Sequence, residues 1–311
     1  MSLLQLTTYI AAVFFLVVVI LKTVKIARMP VHLRWDLYPI PHEKGKAAYG
    51  GSYFENSSWW EKPRLVSRAG ELREMVVEIF SLRGVFRNNR SLWWFSYPFH
   101  IGLYCLVALI VSLKIPVVLH WTGMPVGGQA PGFLSLALQY AAHAFAAAGW
   151  TLTLIGGLGL LAMRLFKRDL RSYSRPGDYI NLILLIAVSG AGFIAWVTVD
   201  RDSHHLRDLA HSLISFLPAP TTTPAATACL VWLTDILLLY FPFTHMTHFI
   251  GKFFTYHKVR WEDTPNRPGS LIEKKIQQAA DNPVGWSAPH IDPLSTWTEA
   301  SGGGKVPDGE K

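Results

Sequence analysis

The chain has 311 residues, of which 50% are hydrophobic and 16% are charged, and its formal net charge is +8. Charged residues make up about 25% of an average soluble domain, so this composition excludes an ordinary soluble domain and indicates a membrane protein. The two cysteines, Cys105 and Cys229, both fall in apolar stretches. A disulfide framework and a four-cysteine metal site are therefore excluded as well.

Five stretches are apolar and long enough to cross a bilayer, which takes about 20 residues. They cover residues 3–21, 93–115, 134–166, 179–197 and 226–250. The first has neither a basic start nor a small-residue cleavage site, so we expect it to remain as a helix. The sequence thus predicts an all-α bundle of five transmembrane helices.

The membrane domain is predicted to cover residues 1–258, and it includes a long loop at 22–92. Part of this loop, residues 32–64, is rich in Pro, Gly and aromatic side chains and indicates a surface for another protein. Residues 72–86 have the apolar period of an amphipathic helix, which either lies on the membrane surface or docks a subunit. The polar tail, residues 259–311, is predicted to be disordered or to be ordered by a partner.

A second amphipathic helix is predicted in the loop before the fifth apolar stretch. Its apolar stripe consists of Leu206, Leu209, Leu213 and Ile214. This spacing is typical of a short helix that lies along the surface of a bundle.

Lys and Arg are concentrated on one predicted side of the membrane. Residues 22–92 hold thirteen, residues 164–178 hold five and the tail from Lys252 holds eight, which together are 26 of the 29. Cytoplasmic loops carry such an excess, so the N-terminus is predicted to lie outside and the C-terminus in the cytoplasm. The net positive charge is then explained without nucleic acid.

Two histidines in different apolar stretches are the strongest candidates for a functional site. An ionisable side chain inside a membrane costs a few kcal/mol or more, so it marks a functional site by default. His100 is predicted to lie about 10 Å and His248 about 6 Å from the same inner edge. Two imidazoles at matching depth on separate helices, with Gly102 beside one of them, are typical of the axial ligands of a b-type haem.

His245 is an alternative to His248, because it lies three residues earlier and near the same face of the predicted fifth helix. Pro242 is expected to kink that helix. From the residues alone, either histidine can be the ligand.

His143 lies in the predicted outer half of the third stretch, among six alanines. Small residues there leave space for a flat cofactor or allow close helix packing. A second haem would need His143 and a histidine from the outer side, of which His211 and His120 are the candidates. A packed or quinone-facing His143 is the alternative.

The motif PFHIG opens the second stretch and FPFTHMTHF closes the fifth, and together they resemble the gamma subunit of respiratory nitrate reductases. The segments HLRWDLYPIPHE, EIFSLRGVFRNNRSLWWFSYPFHIGLY and YHKVRWED look similar to the cytochrome b subunits of the Tmc, Dsr and Hmc redox complexes of sulfate-reducing bacteria. Among these, the Tmc type is favoured. The resemblance covers residues 1–262.

This resemblance implies a haem b near the cytoplasmic side of a bacterial inner membrane, with His100 and His248 as axial ligands and His245 close by. The family's second ligand pair is replaced here by Ile110 and Leu230, so the outer haem is absent or uses other ligands. Electrons would pass between a periplasmic multihaem cytochrome c, or menaquinone, and a cytoplasmic iron-sulfur subunit related to heterodisulfide reductase, as in anaerobic sulfate respiration.

Two other readings are of a different class. A small-molecule transporter would also bury polar groups, but the sequence has no inverted repeat. A haem-free membrane anchor that recruits a soluble redox enzyme would have the same loops and spans. A visible spectrum distinguishes both from a cytochrome b.

Overall fold

The computed structural model describes residues 2–29, 65–121, 132–218, 222–257, 264–289 and 291–303, together with Glu61, Pro63 and Trp261. These residues form helices and no β-strand, which confirms the all-α prediction. The stretch at 30–60, most of the predicted docking surface, lies outside the described residues, and so does the side chain of His120.

Eleven α-helices are present among the described residues. In chain order they are α1 (Leu3–Ala27), α2 (Arg68–Ser81), α3 (Arg83–Asn88), α4 (Arg90–Trp121), α5 (Phe133–Phe166), α6 (Arg168–Tyr173), α7 (Pro176–Thr198), α8 (His204–Ile214), α9 (Ala225–Tyr240), α10 (His248–Thr255) and α11 (Leu271–Ala280). Five of them, α1, α4, α5, α7 and α9, are long and apolar enough to cross a membrane, as predicted. The chain is therefore a multi-pass membrane protein.

The described residues fall into two compact units. The first consists of Met1–Ile20 and Met75–Thr247, and it contains α3 to α9 with parts of α1 and α2. The second consists of Leu21–Glu74 and His248–Lys311. Within the second unit, Tyr256 and Trp261 pack edge to face at 4.9 Å, and Val284 donates a backbone hydrogen bond to Ser295 in the tail.

The bundle of the first unit is built around a close contact between α4 and α5. A Cβ placed on Gly156 would lie 2.5 Å from the backbone nitrogen of Phe99, and one on Gly102 would overlap Thr153. Only glycine allows two helix backbones to approach so closely. Gly102 therefore serves close helix packing.

Two apolar clusters fill this bundle. The larger one contains Leu109, Leu113, Ala142, Ala146, Trp150, Val188 and Leu230, drawn from α4, α5, α7 and α9. The smaller one contains Phe99, Leu182, Leu185 and Met246. The alanines near His143 thus allow close packing, which was one of the two roles predicted for them.

The amphipathic segment predicted at 72–86 is divided into α2 and α3. Leu82 breaks it, because its φ of 48° lies in the left-handed region that leucine rarely adopts. The break is held by Gly84, whose backbone N–H donates to Glu78 Oε2 at 3.1 Å, and by Trp93, whose Nε1 donates to the Ser81 carbonyl. The second predicted amphipathic helix is confirmed as α8.

The fifth membrane helix ends at Tyr240, ten residues earlier than predicted. A 3₁₀ turn follows at Phe241–Phe243, Thr244 is extended with ψ 169°, and a second 3₁₀ turn at His245–Thr247 precedes α10. Pro242 has no N–H to continue an α-helix, so it ends the helix rather than kinking it. His245 and His248 therefore do not share one helix face, which corrects the prediction.

Candidate functional site

His100 lies on α4 in the second membrane span, and its ring is half-buried. Its Nδ1 is 2.7 Å from the backbone carbonyl oxygen of Ser96, one turn earlier. A carbonyl can only accept a hydrogen bond, so Nδ1 carries the proton and donates it. The Nε2 atom then holds the lone pair.

This tautomer is the one that an iron ligand needs. Histidines that bind metals donate their other ring N–H to a carbonyl or carboxylate, which fixes the ring and keeps the ligating nitrogen unprotonated. Phe99, the residue before His100, is buried against Met246 and Leu182. The helix turn that contains His100 is thus held in place by packing. Because Nδ1 of His100 carries the proton, its Nε2 fits an axial ligand of haem.

His245 belongs to a polar cluster at one end of the bundle. Its Nδ1 lies 3.2 Å from Asn181 Nδ2 and 3.4 Å from Asp178 Oδ1, and the other oxygen of Asp178 lies 3.7 Å from Arg164. Nδ1 therefore faces a donor and an acceptor together. A carboxylate beside Nδ1 is also an arrangement found in ligating histidines, so the geometry leaves His245 as the alternative ligand.

Asn181 gives that cluster an unusual feature. The residue is only 4% exposed, and its Oδ1 has no hydrogen-bond partner among the described residues. A buried amide oxygen without a partner is costly, because it loses its bond to water and gains none. No residue pattern indicated that Asn181 and Asp178 lie beside His245.

His248 is the first residue of α10 and is exposed within the second unit. The assignment of His248 as the second ligand stays a prediction.

His143 donates its Nδ1 proton to the carbonyl oxygen of Arg201 at 2.8 Å, and its ring packs near Trp196 at 5.9 Å. It therefore has the same tautomer as His100. His211 lies on α8, whose Leu209 and Ser212 are buried. A second haem that uses His143 and His211 stays a prediction. Leu230, which replaces a ligand of the family's second haem, is buried in the larger apolar cluster.

No group of three or more His, Cys, Asp and Glu side chains that could hold a metal ion occurs among the described residues. A haem with two histidine ligands does not need such a group. Sequence reasoning also passed over Asp235, a buried carboxylate in the fifth span. The sequence alone could have identified Asp235 as a candidate, because it is the only charged residue between Ala225 and Phe243.

The five long apolar helices define a multi-pass membrane protein, and His100 lies on the second of them. Residues 80–262 match the nitrate reductase gamma subunit family, and since they are more than half of the chain, the chain belongs to that family. The predicted family resemblance is thereby confirmed.

A relative from Archaeoglobus fulgidus, the Hdr-like menaquinol oxidoreductase cytochrome b-like subunit, is 26% identical over 279 residues. The similarity covers 79% of this chain and 76% of the relative.

Proposed function

We propose that the chain is the haem b subunit of a respiratory redox complex, in which it carries electrons across the membrane. The observation that supports this most is the carbonyl-oriented imidazole of His100 within a membrane span. Family membership and the name of the A. fulgidus relative point in the same direction.

His100 and His248 are the proposed axial ligands of one haem b. The haem, when bound, supplies one-electron chemistry, while the protein sets the ligands, the surroundings and the access of water. Ser96 fixes the His100 ring through its carbonyl. His245 lies near the haem in this proposal and is the alternative ligand.

The partners are proposed from the loops and the relative. The cytoplasmic loop and tail would dock an iron-sulfur subunit related to heterodisulfide reductase, and the loop that contains α8 would face a periplasmic multihaem cytochrome c. Menaquinone is the proposed lipid-soluble partner, since the relative is named for it. The setting would be the bacterial inner membrane in sulfate respiration, with a Tmc-type complex favoured.

The proposed orientation can be measured with reporter fusions. Fusions at Pro30 and at the C-terminus should both report the cytoplasm, because 26 of the 29 basic residues lie in the loops assigned to that side. A periplasmic signal from either fusion would reverse the orientation, and the iron-sulfur partner would then be assigned to the wrong side.

Electron transfer can be tested on the purified chain. A soluble menaquinol analogue should reduce the haem, and the α band in the visible spectrum should appear in the reduced protein. The control is reduction by dithionite, which does not depend on a quinol site. A haem that dithionite reduces and the quinol does not would remove menaquinone from the proposal, and a colourless protein would favour the haem-free anchor.

A further inference from the structure

Asp235 is a carboxylate in the interior of the first unit that the proposed haem site does not use. It lies on α9, about 15 Å along the helix axis from Ala225 and about 8 Å from Tyr240 at 1.5 Å per residue. Its exposed fraction is 5%. A carboxylate at such a depth is expensive when charged, so it marks a functional site by default.

No cation offsets this group in the part of the chain that is described. The ion pairs of the neighbouring helices α7 and α8 are Arg164–Asp178, His245–Asp178 and His204–Asp208, and none of them includes Asp235. An unpaired buried charge becomes neutral when it can. For a carboxylate this means binding a proton.

The hydrogen bonds around Thr8 agree with a protonated Asp235. The Thr8 hydroxyl oxygen lies 3.2 Å from Asp235 Oδ2 and 2.9 Å from the Leu4 carbonyl oxygen. The hydroxyl has one proton and can donate to only one of these acceptors. If Asp235 holds a proton, it donates to Thr8, Thr8 donates to Leu4, and every contact becomes a hydrogen bond.

The surroundings of Asp235 along α1 are polar in one direction only. One turn before Thr8, Gln5 is 1% exposed, and its Nε2 donates to the Leu217 carbonyl at 2.8 Å and lies 3.3 Å from Ser212 Oγ on α8. We call Gln5, Thr8, Ser212 and Asp235 the polar seam. It consists of two contacts, Thr8 with Asp235 and Gln5 with Ser212, on neighbouring turns of α1.

In the other direction, the contact between α1 and the segment after α9 is aromatic. Phe15 packs on Phe241 at 5.8 Å, and Phe14 packs near Phe243 at 6.0 Å. Aromatic side chains offer a proton no acceptor. The polar seam therefore does not extend into this aromatic contact.

We propose that Asp235 is an internal proton-binding site, which holds a proton as a neutral carboxylic acid. This adds a proton site to the electron carrier. Proton binding at Asp235 does not require the haem, so it can be tested whether or not the haem is present.

Infrared spectroscopy measures this proton directly. In a detergent without ester groups at pH 7, the protein should show the C=O stretch of a protonated carboxylic acid, and Asp235→Asn should remove it while keeping the shape of the side chain. The matched control is Asp208→Asn on α8, whose carboxylate is partly exposed beside His204, and this variant should keep the band. An identical band in the parent and in Asp235→Asn would overturn the proposal.

The hydrogen bond to Thr8 gives a second test that does not change the carboxylate. Thr8→Val should move the band to higher frequency, since the acid loses one of its two threonine partners, Thr7 and Thr8, and Thr8→Ser should return it. A band that does not respond to Thr8→Val would contradict the assignment to Asp235, even if Asp235→Asn fails to fold.

Discussion

The purified His100→Ala protein is expected to lack the spectrum of a low-spin b-type haem. A haem with two histidine ligands that loses one becomes five-coordinate and is held loosely. Because His248 is the proposed second axial ligand, His248→Ala is expected to lose the same spectrum. The measurement is haem per polypeptide by pyridine haemochrome, together with the reduced visible spectrum.

Two control variants separate ligands from neighbours. His245→Ala should keep the low-spin haem, because His248 is the proposed second ligand. His143→Ala should also keep it, since His143 bonds Arg201 elsewhere in the bundle. Loss of haem in His245→Ala and retention in His248→Ala would make His245 the ligand.

Gly156→Ala is expected to destabilise the bundle and to disturb the haem site at the same time. The new Cβ would lie 2.5 Å from the backbone nitrogen and 2.7 Å from the Cα of Phe99, and backbone atoms cannot rotate away as a side chain can. Overpacking of this kind costs about 1–3 kcal/mol. Because Phe99 precedes His100, the melting temperature and the haem content should both fall.

Gly190 provides the matched control on another membrane helix. A Cβ at Gly190 on α7 would meet nothing within 4 Å. Gly190→Ala should therefore leave the melting temperature unchanged or raise it slightly, since alanine favours a helix by up to about 1 kcal/mol over glycine. Equal effects of the two substitutions would mean that the contact between α4 and α5 does not limit stability.

The five spans could be predicted because membrane insertion depends on local properties. A run of about 20 apolar residues is enough to identify a transmembrane helix without any tertiary information. The short helix α8 was predictable for the same reason, from the period of its apolar residues. The residues at which the helices end are predicted less accurately, since they depend on capping residues and on neighbouring segments.

The features that were missed depend on contacts between distant parts of the chain. Pro242 is visible in the sequence, but the end of α9 also involves Met246, which packs against Phe99 far along the chain. A leucine does not predict a positive φ, and the backbone conformation of Leu82 depends on hydrogen bonds that neighbouring residues make. A glycine at position 102 is compatible with a close approach of another group, but the sequence does not show that this group is helix α5.

Asp235 shows how the same limit applies to a candidate site. The sequence displays one carboxylate in an apolar stretch, yet its partner Thr8 is 227 residues away. The tautomer of His100, by contrast, depends on a carbonyl only four residues earlier on its own helix. A local partner of this kind can be expected from the sequence, and a distant one cannot.

The haem content of the purified parent protein tests the central claim most directly. The proposed ligands predict one haem b per polypeptide, with a reduced α band of a low-spin cytochrome b. Two haems would keep that site and add the predicted one at His143, which His143→Ala would then remove. A colourless protein, purified from cells that supply haem, would contradict the claim that His100 and His248 bind iron.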